Sequence, residues 1–326
     1  MIDGLTITIE TPAHAQSRSG NRVTAERWQA ILRDLGHRVV ITTGEFDTTA
    51  DLLIALHAWR SGDAIARFRR RYPARPIIVC LAGTDIYAYQ QSHPKATRRS
   101  MTAATALVGL HDLVGRSIPQ QFRDKLHIIY QSAPSLARQP PSPGVFDICV
   151  IGHLRGEKDP LRTAAAARLL PANSRLRITH AGRALDEDWA SNARAEMADN
   201  PRYHWLGEVS GDAVQQLLAT TRLMVLSSLM EGGANVLGEA IAAGVPVLAS
   251  AIEGSLGLLG TDYPGIFPVG DTEALVRLLA RAENDPPFLA QLTALCAARA
   301  PLFTADRERA AWARLIEQVA GVPAIN

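Results

Sequence analysis

The stretch SSLMEGGANVLGEAIAAG, residues 227–244, places two glutamates, Glu231 and Glu239, eight positions apart. An apolar run at 223–226 precedes the turn, and apolar residues with helical spacing follow at 237–243. This order predicts a strand, a glycine turn and the N-terminus of a helix. Backbone N–H groups at such a helix end attract an anion, and the helix dipole adds to the attraction. The flanking carboxylates indicate an anion that also carries hydroxyl groups, as a nucleotide-sugar diphosphate does.

A second loop of the same predicted sheet carries two cations. The segment IGHLRGEKDP, residues 151–160, follows an apolar strand and precedes a predicted helix that Pro160 opens. Arg155 offers a planar fork of N–H donors and Lys158 a compact charge, and both suit a pair of phosphates. Because ligands of doubly wound sheets bind at the carboxyl ends of strands, we expect this loop and the 231–239 loop to form one site.

Strands alternate with helices along the chain, a pattern typical of parallel sheets covered by helices on both faces. The clearest interruption is the proline-rich stretch QPPSPG at 139–144. The sequence therefore predicts an α/β protein with two Rossmann-like domains that face each other across an interdomain cleft. The predicted parts are an N-terminal domain (1–139), a linker (140–144), a C-terminal domain (145–304) and a final helical segment (305–326) that packs back on the first domain.

Composition excludes several classes of protein. The 326 residues are 47% hydrophobic and 20% charged, which suits a globular chain of about two domains. The apolar runs are too short to cross a membrane, and the chain opens on a strand pattern rather than a signal peptide, so a cytoplasmic location is expected. Three scattered cysteines do not make a disulfide framework or a zinc site. No G-x-G-x-x-G follows the first strand, which argues against an NAD enzyme.

The net charge of +2 is unevenly distributed, with +7 in residues 1–143 and −5 in residues 144–326. A basic first half could attract an anionic substrate. A solvated arginine face on the predicted helix at 62–72 would give the same composition. Because stacking aromatics do not accompany these arginines, nucleic-acid binding is not expected.

Polar loops follow the predicted strands of the first half, at the edge where a parallel sheet binds its ligands. The loops are QSRSGNR at 16–22, LHAWRS at 56–61, GTDIY at 83–87 and GLHD at 109–112. The candidate acceptor contacts in them are Ser19, Gly20, Asn21, Arg22, His57, Arg60, Asp85 and His111, with Arg18 and Arg116 as further candidate anion contacts.

The two loops of the second half resemble the donor site of retaining glycosyltransferases with a GT-B fold, a family that includes sucrose synthases and bacterial mannosyltransferases. Glu231 and Glu239 match the E-x7-E motif of that family, and Arg155 and Lys158 match its Arg/Lys pair. The resemblance implies that Glu231 contacts the donor sugar and that Glu239 binds the ribose hydroxyls. The implied donor-binding residues are Gly152, Arg155, Lys158, Gly207, Val209, Glu231, Gly232, Gly233, Ala234, Asn235, Val236, Leu237 and Glu239, with Lys158, Arg155 and Glu231 in the catalytic role.

The first-half loops, together with the segment GHLRGEKDPLR at 152–162, narrow the resemblance to the selenosugar synthases of selenoneine biosynthesis. Those enzymes transfer a sugar from a UDP-sugar to selenophosphate and release phosphate. The resemblance implies UDP-glucose or UDP-N-acetylglucosamine as the donor, selenophosphate as a small anionic acceptor, and no cofactor apart from the co-substrate. Many members of the wider family have an aromatic residue where this chain has Gly233, which leaves the donor sugar open.

Three alternatives use the same donor site. They are a transferase with an ordinary hydroxyl acceptor, a UDP-sugar epimerase or hydrolase, and a non-catalytic nucleotide-sugar-binding protein. The triplet Asp186-Glu187-Asp188 resembles the metal-binding D-x-D motif of other glycosyltransferases, but it stands where a helix begins and predicts a helix cap. A metal is not expected, because Arg155 and Lys158 already supply positive charge.

Overall fold

The computed structural model describes residues 4–17, 19–44 and 49–321. Contacts between Cα atoms divide the chain into two compact units. The first unit comprises the described residues of Met1–Gln131 together with Glu231–Ala234 and Ala305–Asn326. The second comprises Ser132–Met230 and Asn235–Thr304. This division falls between Gln131 and Ser132, upstream of the proline-rich stretch.

The first unit is built on a six-stranded sheet in which every pairing is parallel, in the order β2-β1-β3-β4-β5-β6. Its central strand β3 is LLIAL, and all five of its side chains are buried, as expected of a strand covered on both faces. The strands are β1 (Thr6–Glu10), β2 (Arg38–Thr42), β3 (Leu52–Leu56), β4 (Ile77–Cys80), β5 (Ala106–Gly109) and β6 (Leu126–Ile128).

Helices cover both faces of this sheet and enclose two apolar clusters, one around Ile7, Ile9 and Trp28 and the other around Leu53, Phe68 and Met101. The helices are α1 (Gly20–Asp34), α2 (Gly62–Arg71), α3 (Gln90–Ser92) and α4 (Pro94–Ala103). A five-residue π-helix, Asp85–Tyr89, precedes α3.

The second unit holds another six-stranded, all-parallel sheet, in the order β12-β11-β10-β7-β8-β9. Counted within this unit, the order is 3-2-1-4-5-6, which is the usual order of a dinucleotide-binding Rossmann sheet. The strands are β7 (Phe146–Ile151), β8 (Leu176–Ala181), β9 (Tyr203–Trp205), β10 (Leu223–Leu226), β11 (Val247–Ser250) and β12 (Ile266–Phe267). The predicted α/β class with parallel sheets is confirmed.

Several helices of the second unit begin at a side chain that caps their free N–H groups. Asp186 accepts a hydrogen bond from the backbone N–H of Trp189 at 3.0 Å, so the predicted capping role of the Asp186 triplet is confirmed. The helices are α5 (Arg162–Arg168), α6 (Glu187–Asp199), α7 (Gly211–Thr220), α8 (Asn235–Ala242), α9 (Glu253–Leu259), α10 (Thr272–Asn284) and α11 (Pro286–Arg299).

The last helix, α12 (Ala305–Ala320), belongs to the first unit, where its apolar face packs against α1. Trp28 and Trp312 meet edge to face with their ring centroids 4.7 Å apart. Glu308 is buried beside them and accepts a 2.8 Å hydrogen bond from Trp28 Nε1. Residues 322–326 of the predicted final segment lie outside the described part of the chain.

Two predicted helix starts are wrong by two residues. The helix expected from Pro160 begins at Arg162, because Asp159 takes a left-handed conformation (φ 44°) and a turn follows it. The helix expected over 237–243 begins at Asn235, because periodicity marks its buried face and Leu237 is its first buried residue. Among the described residues, no single helix is long and apolar enough to cross a membrane. The two bent segments 286–303 and 305–320 reach the required length and hydropathy only when they are counted together.

Candidate active site

The order of the second sheet reverses between β7 and β10, which pair directly through Leu223 with Ile148 and Met224 with Cys149. Loops that leave such a switch point in opposite directions open a crevice at the carboxyl ends of the strands. The loop after β7 carries Arg155 and Lys158, and the loop after β10 leads into α8 and Glu239. The topology therefore brings the two predicted donor loops to neighbouring strand ends.

The loop after β7 is held in an extended path beside the loop after β8. Gly152 N–H donates to Ala181 O at 2.9 Å, and Leu154 forms a parallel bridge with Ala184. The two backbones approach so closely that a Cβ on Gly182 would lie 1.9 Å from Gly152 O. Glycine at 182 is therefore required by the packing of the loop that precedes Arg155.

His180, on β8, is hydrogen-bonded to the loop after β7 through Gly152. The ring is buried, with Nε2 at 3.0 Å from Gly152 O and Nδ1 at 2.8 Å from the Tyr203 hydroxyl. A carbonyl can only accept, so Nε2 carries the proton and donates it, while Nδ1 accepts from Tyr203. Burial lowers the pKa of His180 to about 4, so the ring is neutral at physiological pH.

Side-chain and backbone hydrogen bonds tie the loop after β7 to the loop after β10. The Ser227 hydroxyl lies 2.8 Å from Asp159 O and 3.2 Å from Lys158 O, and it is buried. Leu229 N–H donates to Glu157 O at 2.8 Å. Both loops therefore form one rigid unit at the switch point, with Lys158 on a single 3-10 turn (Gly156–Lys158).

The charged side chains of this loop remain partly exposed. Arg155 Nε lies 3.3 Å from Glu157 Oε1, with about a third of each side chain accessible to solvent. Arg162 bonds to Asp159 at 2.7 Å and to the Thr272 hydroxyl at 2.6 Å, which anchors the end of the loop to α10. These bonds fix the end of the loop that carries Arg155 and Lys158.

His153, in the same loop, accepts a 3.1 Å hydrogen bond at Nδ1 from the backbone N–H of Arg183. Burial lowers the pKa of His153, and the nearby positive charges of Arg155, Arg183 and Lys158 lower it further. An uncharged imidazole is thus held among three cations, with the carboxylate of Glu208 acting in the opposite direction.

Helix α8 begins immediately after Ala234, a residue with no side-chain oxygen to cap it. Among the implied donor contacts at this end, Asn235, Val236 and Glu239 are partly exposed, whereas Leu237 is buried. The N-terminal turn of α8 therefore places the positive end of the helix dipole after the carboxyl end of β10.

The turn Glu231–Ala234 belongs to the first unit by its contacts. A Cβ on Gly232 would lie 2.3 Å from Ala82 O, and a Cβ on Gly83, whose φ is +118°, would lie 2.3 Å from Gly232 N. A Cβ on Gly233 would lie 2.5 Å from Leu110 Cβ. Leu110 thus occupies the space that an aromatic residue at position 233 would need, which gives a physical reason for glycine there.

The implied donor contacts Gly207 and Val209 follow the end of β9, beside the loop after β8. Gly182 N–H donates to Gly207 O at 2.8 Å, and Trp205 Nε1 donates to Gly182 O at 2.8 Å. Leu206 is 55% exposed, an apolar side chain presented at the strand end. Gly207 is therefore connected through Gly182 to the Gly152 loop, and Val209 follows it two residues later.

In the first unit, the sheet order reverses between β1 and β3, and the loops after these strands carry most of the predicted acceptor contacts. Ser19 precedes α1 without a side-chain cap, and the first turn of this 15-residue helix, which includes Gly20 and Asn21, has no acidic residue. Arg22 is paired with Glu26 at 2.6 Å. Arg18 lies outside the described residues.

His57 directly follows β3 with a left-handed backbone (φ 84°), which is uncommon outside glycine. The ring is buried, and Nδ1 accepts hydrogen bonds from the backbone N–H groups of Trp59 and Arg60 at 3.2 and 3.1 Å. Nε2 therefore carries the proton and donates it to the Thr84 hydroxyl at 2.9 Å. Burial lowers the pKa of His57, so the ring is neutral and both its nitrogens are engaged.

Asp85 is fully buried, and its carboxylate accepts from four backbone N–H groups. The shortest are those of Gly83 at 2.7 Å and Ala58 at 2.8 Å. The side chain thereby joins the loop after β3 to the loop after β4. In this arrangement Asp85 positions the backbone of the predicted acceptor site, and it has little capacity left to take a proton from a substrate.

His111 and Arg60 occupy different surroundings. His111 is buried after β5, with Nε2 at 2.9 Å from the Tyr87 hydroxyl and Nδ1 accepting from Leu113 N–H. Arg60 is exposed, with its guanidinium 5.9 Å from the centre of the Tyr89 ring. The further candidate, Arg116, ends a short 3-10 turn after β5.

Sequence reasoning missed several residues that shape the site. An aromatic stack, Trp59 on Tyr89 with ring centroids 4.0 Å apart, borders His57, and no sequence pattern marks it. His180 and Ser227 were also missed, because a lone histidine in a strand and a serine after one are ordinary core residues until their partners are known. Within the described residues, no group of three or more His, Cys, Asp or Glu side chains is arranged to hold a metal ion.

Residues 136–295 match the family model of glycosyl transferases group 1. This part of the chain is similar to the group 1 glycosyl transferases. Three solved structures are similar over nearly the whole chain. The fold is that of the GT-B glycosyltransferases, which confirms the predicted fold class. Among curated protein sequences, no significant match is found.

The first of these structures is Anabaena HepE in complex with UDP and glucose, with 15% identity, a TM-score of 0.76, and coverage of 96% of this chain and 100% of that one. Sucrose-phosphate synthase from Thermosynechococcus elongatus has 16% identity, a TM-score of 0.79, and coverage of 97% and 99%. A glycosyltransferase from Rickettsia africae has 10% identity, a TM-score of 0.73, and coverage of 98% and 100%. At these identities the similarity concerns the fold alone.

Proposed function

We propose that this protein is a glycosyltransferase that takes a hexose or N-acetylhexosamine from a UDP-sugar and transfers it to selenophosphate. The observation that carries the donor half is the bonding of Ser227 and Leu229 to the Arg155–Lys158 loop at the switch point of the second sheet. This bonding holds two cations beside the loop that leads to the N-terminus of α8. The HepE structure, which contains UDP and glucose, supports a UDP-sugar as the donor.

The chemistry follows from where charge develops. The bond between C1 of the sugar and the β-phosphate oxygen of UDP breaks, and its electron pair leaves with UDP. Arg155, Lys158 and the α8 N-terminus stabilise that growing negative charge, so no metal is invoked. The selenium of selenophosphate forms the new bond to C1, and water then cleaves the P–Se bond, which yields phosphate and a 1-selenosugar. Glu231 binds the donor sugar, and Glu239 binds the ribose hydroxyls.

A small anionic acceptor is supported by the first unit. The N-terminal turn of α1, which has neither an acidic residue nor a side-chain cap, follows β1 at the switch point. His57 is neutral and hydrogen-bonded at both nitrogens, and Asp85 is saturated by backbone N–H groups. An alcohol acceptor would need a general base. An anionic selenium nucleophile does not, which suits an acceptor side whose buried His57 and Asp85 are already occupied.

Calorimetric titration tests the donor half. UDP is expected to bind the wild-type protein, and binding should weaken by about 10-fold or more in Arg155→Ala and Lys158→Ala, since each removes a charged contact to phosphate. Arg168→Ala is the matched control, because it removes one positive charge from an exposed ion pair with Glu196 in the same domain. NAD binding in place of UDP binding would refute the donor assignment.

UDP release tests the acceptor half. UDP-glucose and UDP-N-acetylglucosamine are incubated with and without selenophosphate, and UDP is quantified. A transferase should release UDP mainly when the acceptor is present. Equal UDP release without selenophosphate would indicate a hydrolase. UDP release that requires an alcohol in place of selenophosphate would indicate a transferase with a hydroxyl acceptor.

A further inference from the structure

The loop after β4 carries a threonine, Thr84, between the glycine that touches Gly232 and the buried Asp85. It lies next to the turn that holds Glu231, since Gly83 is in backbone contact with Gly232 within the first unit. Thr84 is therefore the residue directly after one of the contact points of that turn.

The direction of the Thr84 hydroxyl is fixed by His57. His57 Nδ1 accepts two backbone N–H groups, so the ring proton is on Nε2 and is donated to Thr84 Oγ1 at 2.9 Å. A hydroxyl that accepts this proton keeps its own hydrogen for another partner. Within the described part of the chain, the Thr84 hydroxyl makes no second hydrogen bond, and the residue is half-buried.

The backbone on both sides of Thr84 is rigid. Gly83 N–H donates to Asp85 Oδ1 at 2.7 Å, and Gly83 O accepts from Ile86 and Tyr87 N–H groups at 2.9 Å each. The π-helix Asp85–Tyr89 starts immediately after Thr84, and such helices are frequent at functional sites. The strained φ of His57 fits the same interpretation, because strain persists where the surrounding structure enforces a functional geometry.

We propose that the Thr84 hydroxyl, oriented by the neutral His57, donates a hydrogen bond to an oxygen of the phosphate-type acceptor. This inference rests on the proposed transferase function and names a contact that deepens it. Thr84 touches the acceptor, whereas His57 is a positioning residue that acts through Thr84. Protonated Nε2 is essential to this role, because an unprotonated nitrogen would instead draw the Thr84 hydrogen away from the acceptor.

Thr84→Val keeps the shape of the side chain and removes the hydroxyl. It should raise the acceptor KM by about 10-fold or more, as expected for a lost hydrogen bond to a charged group, and leave UDP affinity unchanged. Thr84→Ser should restore most of the loss. His57→Asn, which tolerates a positive φ and lacks Nε2, should also raise the acceptor KM. Thr8→Val is the matched control, because Thr8 carries a buried hydroxyl on β1 for which no partner is found among the described residues.

Calorimetry with inorganic phosphate in the presence of saturating UDP makes the test independent of turnover. Phosphate should bind the wild-type complex and bind Thr84→Val about 10-fold or more weakly, for the same reason. Equal phosphate binding by both proteins, or no phosphate binding by the wild type, would overturn the role of Thr84. Failure of the transferase proposal would appear separately, as loss of UDP binding or as UDP release that needs no acceptor.

Discussion

Acid should destabilise the second unit through His180. In the folded protein the pKa of His180 is lowered to about 4 by burial, against about 6.5 in an unfolded chain. Above pH 6.5 the ring is neutral in both states and has no effect on the pH dependence. Below pH 6.5 the unfolded chain binds a proton that the folded ring refuses, so the free energy of unfolding falls until about pH 4.

The magnitude follows from the two pKa values. At 1.36 kcal/mol per pKa unit, the full difference is worth about 3 kcal/mol, of which about 2 kcal/mol is lost between pH 7.5 and pH 5. His180→Phe removes the titrating group but keeps an aromatic ring. At pH 7.5 the variant should be less stable than the wild type by about 1–3 kcal/mol for each of the two partners left unpaired, Gly152 O and the Tyr203 hydroxyl.

Urea unfolding is measured at pH 7.5 and pH 5, with hydrogen-exchange mass spectrometry of peptides from β8 as the readout. These peptides report the free energy of unfolding of the second unit separately from that of the first. The stability gap between wild type and His180→Phe should narrow by about 2 kcal/mol at pH 5. A gap of the same size at both pH values would refute the reasoning, because it would mean that His180 titrates alike in the folded and unfolded protein.

Three further outcomes are expected. Lys158→Ala should lower kcat by about 100-fold, since Lys158 would stabilise leaving-group charge, and near-normal turnover would contradict that role. Gly182→Ala should weaken UDP binding, because the new Cβ would lie 1.9 Å from Gly152 O and displace the loop that carries Arg155 and Lys158. The unfolding of the first unit should be unchanged. Unaltered UDP affinity would show that this loop can shift without loss of binding. Glu308→Ala should lower the free energy of unfolding of the first unit by about 3 kcal/mol, because it removes the acceptor of the Trp28 Nε1–H and the carboxylate 3.3 Å from Arg27. Glu308→Gln should recover part of this loss. Equal urea stability of the wild type and both variants would show that the contact of α12 with α1 through Glu308 does not stabilise the protein.

The parallel sheets could be predicted from the sequence because buried strands such as LLIAL at 52–56 are apolar throughout and are separated by helical patterns. Helices α9 to α11 were not predicted. Pro286 and Pro287 suggest a break, but they stand at the start of α11, where a missing N–H costs nothing. A proline breaks a helix when it stands in the middle but is tolerated in the first turn, so it does not by itself show where a helix lies.

The candidate donor site was predictable from motifs because its charged residues lie close together in sequence on two loops. Its support was not predictable. The contacts of His180 with Gly152 and of Ser227 with the Lys158 loop join residues 28 and 69 positions apart, and neither leaves a local pattern. On the acceptor side, the sequence pointed to His57 and Asp85, whereas the bonding within the loop points to Thr84, whose orientation depends on the tautomer of a neighbouring ring.

Product analysis by mass spectrometry tests the central claim most directly. The protein is incubated with UDP-glucose or UDP-N-acetylglucosamine together with selenophosphate, and in parallel with thiophosphate or phosphate. The account predicts a 1-selenosugar, with UDP and phosphate released in equal amounts. A product without selenium, or none with either donor, would contradict it.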